Sequence, residues 1–251
     1  PEQFMMAEDG NYERAHARWK CTLAWREEKR ADYVLQEPHP NFAIIKECYP
    51  HFFHGHDNAG NVVYYELPGR INWPRIRESG LKDQFVDHVM YLQEYLWTVL
   101  QPNPEQRVTT VFDLGGLGMG LIFNREIISI VKNCVLMTST HYPQKSHKLI
   151  IINAPMWFGT LFAIIKPLLN EVQKSKIHVF RPHSTLEGLR TFIHYADIPL
   201  EYGGGSVSRI GSYEDEKNFH RYVFSKLANV PMVKDAYLPA NIEDWHYAPA
   251  S

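Results

Sequence analysis

The feature that most constrains the fold is a repeated alternation of strand-like and helix-like segments in the centre of the chain. Runs of β-branched and aliphatic residues occur three times, and each is followed by a longer stretch with apolar residues at helical spacing. The predicted segments are strands at residues 108–114, 148–153 and 177–180, and helices at 121–137, 156–170 and 185–194. Because strands joined through helices pair in parallel, we predict an α/β fold with a mainly parallel sheet covered by helices.

Shorter elements flank this core. Residues 2–36 carry Trp19, Leu23 and Trp25 among charged side chains, which predicts a helical segment with one buried stripe. The other predicted elements are a hairpin formed by residues 51–54 and 62–65, a helix at 82–100, a surface helix at 214–227 and an extended tail at 230–251.

Composition excludes several classes of protein. The 251 residues carry 26 Lys and Arg against 28 Asp and Glu, so no global positive charge favours nucleic acid. Three widely spaced cysteines indicate reduced thiols rather than a disulfide framework, and the start shows no signal peptide, so we expect an intracellular protein. The longest apolar run, residues 156–169, is too short and too interrupted to span a bilayer.

A glycine cluster at residues 115–120 follows the first core strand. Glycines at this place can bring a backbone close to a pyrophosphate, as in dinucleotide-binding enzymes, or can simply form a tight turn. The spacing is not GxGxxG, and the next strand ends at Asn153 without an acidic residue for a ribose, so the turn is the favoured interpretation.

Three histidines near the predicted hairpin resemble metal ligands at first sight. His51, His54 and His56 lack a Cys or acidic partner at a recognisable ligand spacing, so we predict no metal site. The sequence also has no GxSxG, HExxH or CxxC motif, and it therefore offers no specific support for an enzyme.

The predicted helix at residues 156–170 is apolar around most of its circumference. A helix that covers one side of a sheet needs a single apolar stripe, so the second apolar face requires a partner. Two interpretations remain open: a helix buried between layers, or a helix with one face on an apolar ligand or a membrane surface.

Several motifs occur in an order that resembles a known family. They are His54-Gly55-His56-Asp57-Asn58-Ala59-Gly60-Asn61-Val62-Val63-Tyr64-Tyr65-Glu66, Phe112-Asp113-Leu114-Gly115-Gly116-Leu117-Gly118, Tyr142-Pro143-Gln144-Lys145, Ile151-Ile152-Asn153-Ala154-Pro155, Ile165-Lys166-Pro167-Leu168-Leu169, Lys174-Ser175-Lys176-Ile177 and Tyr202-Gly203-Gly204. This pattern resembles the CRAL-TRIO lipid-binding domain family of the yeast-type phosphatidylinositol/phosphatidylcholine transfer proteins. The resemblance implies an N-terminal helical segment at 1–47, cut short by comparison with the family, a lipid-binding domain at 48–229 and the tail at 230–251.

The family implies a sheet floor and helical walls around one apolar lipid cavity. Lys176 and Gln144 fall on inositol phosphate positions, although Gln144 replaces a carboxylate. Tyr64 and Thr110 fall on phosphatidylcholine positions, where Phe53 and Val108 replace polar residues. The helix after Asn153 would be a movable gate, and the residues expected to form the acyl cavity and gate are Trp157, Phe158, Leu161, Phe162, Ile165 and Leu169.

These implications predict a noncatalytic lipid-binding and transfer domain for one phospholipid, with phosphatidylinositol as the candidate ligand. Two alternatives remain: a lipid-sensing regulatory module of a larger protein, and a nucleotide-dependent oxidoreductase. The expected partners are the phospholipid and, transiently, a membrane surface, without nucleic acid, metal or a cofactor other than the lipid. We expect a monomeric cytoplasmic protein that associates peripherally with membranes.

Overall fold

The computed structural model describes residues 2–227, which fold into helices around one sheet. The helices are α1 (Glu2–Ala7), α2 (Tyr12–Lys29), α3 (Phe42–Cys48), α4 (Trp73–Glu78), α5 (Gln84–Tyr95), α6 (Arg125–His141), α7 (Phe158–Ile165), α8 (Glu171–Ser175), α9 (Thr185–Arg190) and α10 (Glu214–Leu227). The strands are β1 (His51–His56), β2 (Val62–Glu66), β3 (Val108–Asp113), β4 (Ser146–Ile152) and β5 (Ile177–Val179). The predicted tail at 230–251 lies outside the described residues, and the predicted domain boundaries stay predictions.

The five strands follow one another across the sheet in the order β1-β2-β3-β4-β5. β1 and β2 pair antiparallel as a hairpin, whereas β2 to β5 are parallel. The predicted mainly parallel sheet is therefore confirmed. Since the strand order never reverses, the sheet also lacks the switch point at which dinucleotide-binding folds open a crevice.

The two faces of the sheet have different coverings. On one face, β2 and β3 contribute Val63, Tyr65 and Val111 to a core with Leu189 of α9 and Ile198. On the opposite face, the side chains alternate with these, and the connections α4–α5, α6 and α7–α8 cross over that face, as right-handed crossovers between successive parallel strands require. Any cavity between the sheet and these crossover helices therefore lies on the second face.

Helix α10 closes the outer side of the hairpin. Phe219 and Val223 pack in the core with Phe53 of β1 and Tyr95 of α5. Glu216 is fully buried, accepts the backbone N–H of Phe53 at 2.9 Å, and lies 2.5 Å from the Lys46 ammonium. The carboxylate thus satisfies a backbone donor at the free edge of β1 while its charge is paired.

Several predicted helices differ at their ends for local reasons. The helix expected from residue 121 begins at Arg125, because residues Met119–Phe123 form a 3₁₀ turn and the Asn124 side chain caps the backbone N–H of Ile127 at 3.1 Å. The helix expected at 156–170 is shorter, with α7 followed by a 3₁₀ turn at Lys166–Leu168 in which Pro167 cannot continue an α-helix. In the same way, the helix expected at 82–100 becomes α5 and a π-turn at Leu96–Leu100.

The helical segment predicted at residues 2–36 contains the two helices α1 and α2, and the predicted stripe packs only in part: Trp25 is half-buried and stacks on the His141 ring at 4.1 Å. In α2 the buried residues are Ala15 and Thr22, whereas Leu23 is exposed and Trp19 is half-buried. Within residues 2–227, no helix is both long enough and apolar enough to cross a membrane.

Candidate functional site

A cavity of about 220 Å³ lies between the second face of the sheet and the helices that cover it. Its walls come from every strand after β1 and from α1, α2, α5, α6 and α8 together with the segments that join them. The lining residues are Ala7, Arg18, Glu66, Gln93, Trp97, Val108, Thr110, Phe112, Val135, Thr138, Ser139, Tyr142, Pro143, Gln144, Lys145, Ser146, Leu149, Leu169, Asn170, Val172, Gln173, Lys176 and Ile177.

Strand register explains why the floor of the cavity is mostly apolar. Thr110 of β3 pairs with Leu149 of β4, and Leu149 pairs with Ile177 of β5, so all three side chains point to one face. Phe112 lies two residues beyond Thr110 and therefore points the same way. The floor is an apolar surface with the Thr110 hydroxyl within it.

One end of the cavity is polar and positively charged. Lys176, between α8 and β5, is half-buried and donates from Nζ to the Ser146 carbonyl at 2.7 Å. Gln144 lines the same end and has a left-handed backbone with φ of 61°. Burial lowers the pKa of Lys176, and the nearby cations Arg107 and Lys148 lower it further. No carboxylate within residues 2–227 lies within ion-pair distance of Lys176, so the cation remains available to an anion.

A second lysine at this end was missed in the sequence. Lys145 lies 4.5 Å from the centre of the Trp97 ring and 3.4 Å from the Pro104 carbonyl, and burial lowers its pKa, with Arg107 adding to the effect. Because Lys145 follows Gln144 directly, its place at this end of the cavity could have been predicted from the sequence. The two lysines give this end of the cavity a concentrated positive charge.

The N-terminal segment also reaches the cavity. Arg18 of α2 donates to the Thr140 carbonyl at 3.0 Å and to that of Ser139, and it forms an ion pair with Glu8 at 2.9 Å. A cation at these carbonyls is favourable because they belong to the C-terminal end of α6. Apart from Ala7, every other residue that lines the cavity is far from Arg18 in the sequence. No local sequence pattern therefore indicates that Arg18 reaches the cavity.

Glu66 places a carboxyl group on the cavity wall. It follows Tyr64 by two residues on β2, so both side chains point to the face of the sheet that holds the cavity. This alternation could have been used to predict Glu66 from the sequence. Burial raises its pKa to about 7, although the Tyr49 hydroxyl donates to Oε2 and opposes that rise. The group therefore changes charge near neutral pH.

Tyr64 and Thr110 do not share the same surroundings. Thr110 lines the cavity, whereas Tyr64 is buried beside Phe53, with ring centres 5.1 Å apart, and is not part of the lining. The structure thus brings Lys176, Gln144 and Thr110 to one cavity and places Tyr64 in the adjoining core.

The residues predicted for the gate lie in or beside α7. Phe158 joins the apolar cluster of Ile151, Leu114 and Ala154 on the sheet, and its ring stacks with Phe162 at 5.8 Å. Leu161 is buried, while Trp157, Phe162 and Ile165 are half-buried. Of the six predicted gate and acyl residues, Leu169 alone lines the cavity. The cavity is smaller than the 300–1,000 Å³ usual for sites of small ligands.

Both sides of the segment leading into α7 are held by polar contacts. Asn153 adopts φ of 52°, donates to Asp113 at 2.7 Å and accepts from the Thr185 hydroxyl at 2.9 Å. Arg181 donates to the carbonyls of Ala154 at 3.3 Å and Pro155 at 2.8 Å. The start of the predicted gate is therefore fixed to β3 and to the chain after β5.

The glycine cluster and two of the three histidines have structural partners. A Cβ at Gly69 would lie 2.1 Å from the Gly115 carbonyl oxygen, so the glycines allow two turns to pack closely. His51 contacts the Tyr49 carbonyl at 2.8 Å and His54 contacts Ser206 at 2.9 Å. Among residues 2–227, no group of three or more His, Cys, Asp or Glu side chains is arranged to hold a metal ion.

Comparison with known proteins defines the class of this fold. The model of the CRAL/TRIO domain matches residues 46–204, so the chain belongs to the CRAL/TRIO domain family. A solved structure described as the crystal structure of Sfh5 has a TM-score of 0.66 at 20% identity, over 83% of this chain and 72% of that one. This similarity confirms the fold.

Curated relatives narrow the comparison. A CRAL-TRIO domain-containing protein of Saccharomyces cerevisiae is 27% identical over 74% of this chain and 64% of its own length. The SEC14 cytosolic factor of Yarrowia lipolytica is 25% identical over 83% of this chain and 44% of its own length. The phosphatidylinositol/phosphatidylcholine transfer protein SFH7 of Arabidopsis thaliana is 25% identical over 80% of this chain and 38% of its own length. The chain thus spans less than two thirds of the length of these relatives.

Proposed function

We propose that this chain is a noncatalytic lipid-binding and transfer domain that holds one phospholipid, with phosphatidylinositol as the candidate. The observation that carries the proposal is that Lys176, which has no carboxylate partner within residues 2–227, opens into the same cavity as the apolar floor formed by Phe112, Leu149 and Ile177. A cation beside an apolar surface suits an amphiphile whose phosphate and acyl chains bind together. The names of the SEC14 and SFH relatives support this interpretation.

Energetics favour a carrier with a closed cavity. A phospholipid has ~30 methylenes, and at ~0.8 kcal/mol each their exposure to water costs more than about 20 kcal/mol. A protein moves such a molecule between membranes only if its interior replaces the bilayer. Because the cavity measures about 220 Å³, it must enlarge to admit two acyl chains, and we propose that α7 moves outward for this. Trp157, Phe158 and Phe162 would then line the opening and contact the membrane.

We assign headgroup roles to the residues at the polar end of the cavity. Lys176 pairs with the phosphate, and Gln144 donates to and accepts from inositol hydroxyls. Thr110 hydrogen-bonds the glycerol or phosphate region, and Tyr64 borders that region from the core. We further propose that the protein is a cytoplasmic monomer that meets membranes transiently and requires no metal or other cofactor.

Lipid loading and transfer test this function. Purified protein incubated with mixed-lipid vesicles should retain one phospholipid per chain by native mass spectrometry, and should move labelled phosphatidylinositol between vesicles. Phe162→Asp should slow transfer, because a charge on α7 disfavours its opening into a bilayer. Protein that carries no lipid and moves none would contradict the proposal.

A lipid-sensing module is the second candidate. It is favoured by the relatives' lengths, because the chain spans 44% of one relative and 38% of another. Such a module would load lipid without delivering it. Stable loading with transfer no faster than the spontaneous rate would select this alternative.

A further inference from the structure

Three exposed apolar side chains lie at one edge of the sheet. Met119 and Phe123 follow β3 and are 52% and 76% exposed, and Met156 follows β4 and is 85% exposed. Because β3 and β4 are parallel neighbours, their carboxyl ends share one edge. We call Met119, Phe123 and Met156 the edge patch.

Packing brings the two parts of the edge patch together. Leu117, two residues before Met119, joins the apolar cluster that holds Ala154 and Phe158 on either side of Met156. The turn that carries Met119 and Phe123 is hydrogen-bonded, with Leu121 N–H donating to Gly118 at 3.1 Å and Asn124 N–H to Leu121 at 3.0 Å. The backbone conformation therefore holds these side chains outward.

The edge patch adjoins the predicted gate. Met156 precedes α7 by two residues, and Phe158 of α7 packs in the same apolar cluster as Leu117, which precedes the turn Met119–Phe123. A bilayer that receives a lipid from under α7 would thus lie next to the edge patch. Apolar side chains at this place would gain the free energy of burial in the interface, which they do not gain in water.

Charges of both signs occur near the edge patch, since Arg125 lines a surface depression together with Lys29, Lys82, Asp83, Asp87 and Glu126. Arg125 and Lys166 are exposed, and Arg181 donates only to backbone carbonyls among the contacts of the described residues. The carboxylate of Glu126 is neutralised by Arg77 at 2.6 Å and Lys82 at 2.8 Å. Among the described residues, Arg125, Lys166 and Arg181 have no carboxylate within ion-pair distance, whereas Glu126 and Asp87 are paired, so these three cations remain available to anionic lipids.

We propose that the edge patch is a membrane-inserting surface, separate from the gate, that docks the domain on anionic bilayers. Phe123 and the two methionines enter the interface, while Arg125, Lys166 and Arg181 contact lipid phosphates. The inference rests on the proposed function, since a carrier must meet a bilayer. It adds a docking element that stays in place while α7 moves.

Vesicle binding tests this surface. The full chain and a Met119→Ser, Phe123→Ser double variant are titrated with vesicles of phosphatidylcholine and phosphatidylserine, and bound protein is measured by cosedimentation. The double variant should bind about tenfold more weakly, because the lost apolar burial corresponds to that factor. Arg125→Gln should weaken binding about fivefold on these vesicles and leave binding to pure phosphatidylcholine unchanged.

Val207→Ser is the matched control, because Val207 is fully exposed and does not belong to the edge patch. It should bind as the wild type does. Equal binding of the double variant and the wild type would overturn the inference, and so would a wild type that does not bind vesicles.

Loading from detergent-dispersed phosphatidylinositol separates the two proposals. The double variant should load as much lipid as the wild type, because its substitutions lie outside the cavity. A wild type that loads no lipid contradicts the transfer function, whereas the vesicle titration alone decides the docking surface.

Discussion

Arg26 of α2 donates from both terminal guanidinium nitrogens to the Glu94 carboxylate of α5, at 2.8 and 3.0 Å. Glu94 also accepts a hydrogen bond of 2.5 Å from the Tyr142 hydroxyl. Glu94 is buried and Tyr142 lines the cavity. This connection makes the N-terminal segment part of the cavity wall. A bidentate pair of this kind fixes geometry as well as charge.

Arg26→Leu should therefore destabilise the protein and loosen the cavity. Removing the cation leaves a buried carboxylate with Tyr142 as its remaining hydrogen-bond donor, so we expect the free energy of unfolding to fall by about 2–3 kcal/mol. Urea denaturation measures this change. The control is Arg30→Leu, whose ion pair with Glu37 is exposed, and which should cost less than about 1 kcal/mol. Equal costs in the two variants would show that the Arg26 pair has no special role.

Acid should unfold the protein through its buried histidines. Burial lowers the pKa of His39 and of His54 to about 4 and holds those of His51 and His88 well below the ordinary value. The unfolded chain therefore binds more protons than the folded one once the pH falls below about 6.5. The contribution of these histidines is fully present above that pH and decreases as the pH falls toward 4, by up to about 1.4 kcal/mol per histidine per pH unit. The raised pKa of Glu66 opposes this loss, but it is one group against four.

Urea titrations between pH 7.5 and pH 5 measure this slope, and His39→Gln should reduce it. The range stays above the region in which Glu216 is protonated: burial works to raise its pKa, but Lys46 and His220 hold the pKa at about 2. A wild type that is as stable at pH 5 as at pH 7.5 would contradict the prediction.

Lys176→Ala should weaken phospholipid loading about tenfold or more while the fold is retained. The substitution removes a half-buried cation whose hydrogen-bond partner, the Ser146 carbonyl, can be hydrated. Native mass spectrometry of lipid-loaded protein measures the effect, and circular dichroism checks the fold. Lys148→Ala is the control, since Lys148 does not line the cavity and lies 5.8 Å from the Phe192 ring. Unchanged loading in Lys176→Ala would remove Lys176 from the site.

The sheet could be predicted from the sequence because strand and helix periodicities alternate clearly across residues 108–180. The packing face of α2 could not. Of the predicted stripe only Trp25 packs, against His141, whereas Leu23 is exposed; Arg18 and Arg26 also fix the packing face, and their partners Glu94, Ser139 and Thr140 are distant in sequence. Polar contacts between residues so far apart in the chain produce no periodic pattern in the sequence.

The candidate site was predictable in part for the same reason. Lys176, Gln144 and Leu169 belong to motifs of the family resemblance, Thr110 is a position that the resemblance implies, and all four line one cavity. Arg18 is contributed by a helix outside those motifs. Glu66 belongs to a motif, but a lone glutamate at a strand end is ordinarily an exposed residue, and only the helices above it explain its burial.

Glu66 should make lipid loading depend on pH. Its carboxyl faces the cavity, with Tyr49 donating to it and Tyr64 and Cys134 close enough to be affected by its charge. Burial already raises its pKa to about 7, and an acyl chain that replaces water beside it raises that pKa further. Lipid binding therefore takes up a proton, so loading should be stronger at pH 6 than at pH 8, by up to about tenfold per pH unit. Glu66→Gln, which is neutral throughout, should remove this dependence, as equilibrium loading from vesicles at the two pH values can measure. The same pH dependence in Glu66→Gln and in the wild type would assign the proton to another group.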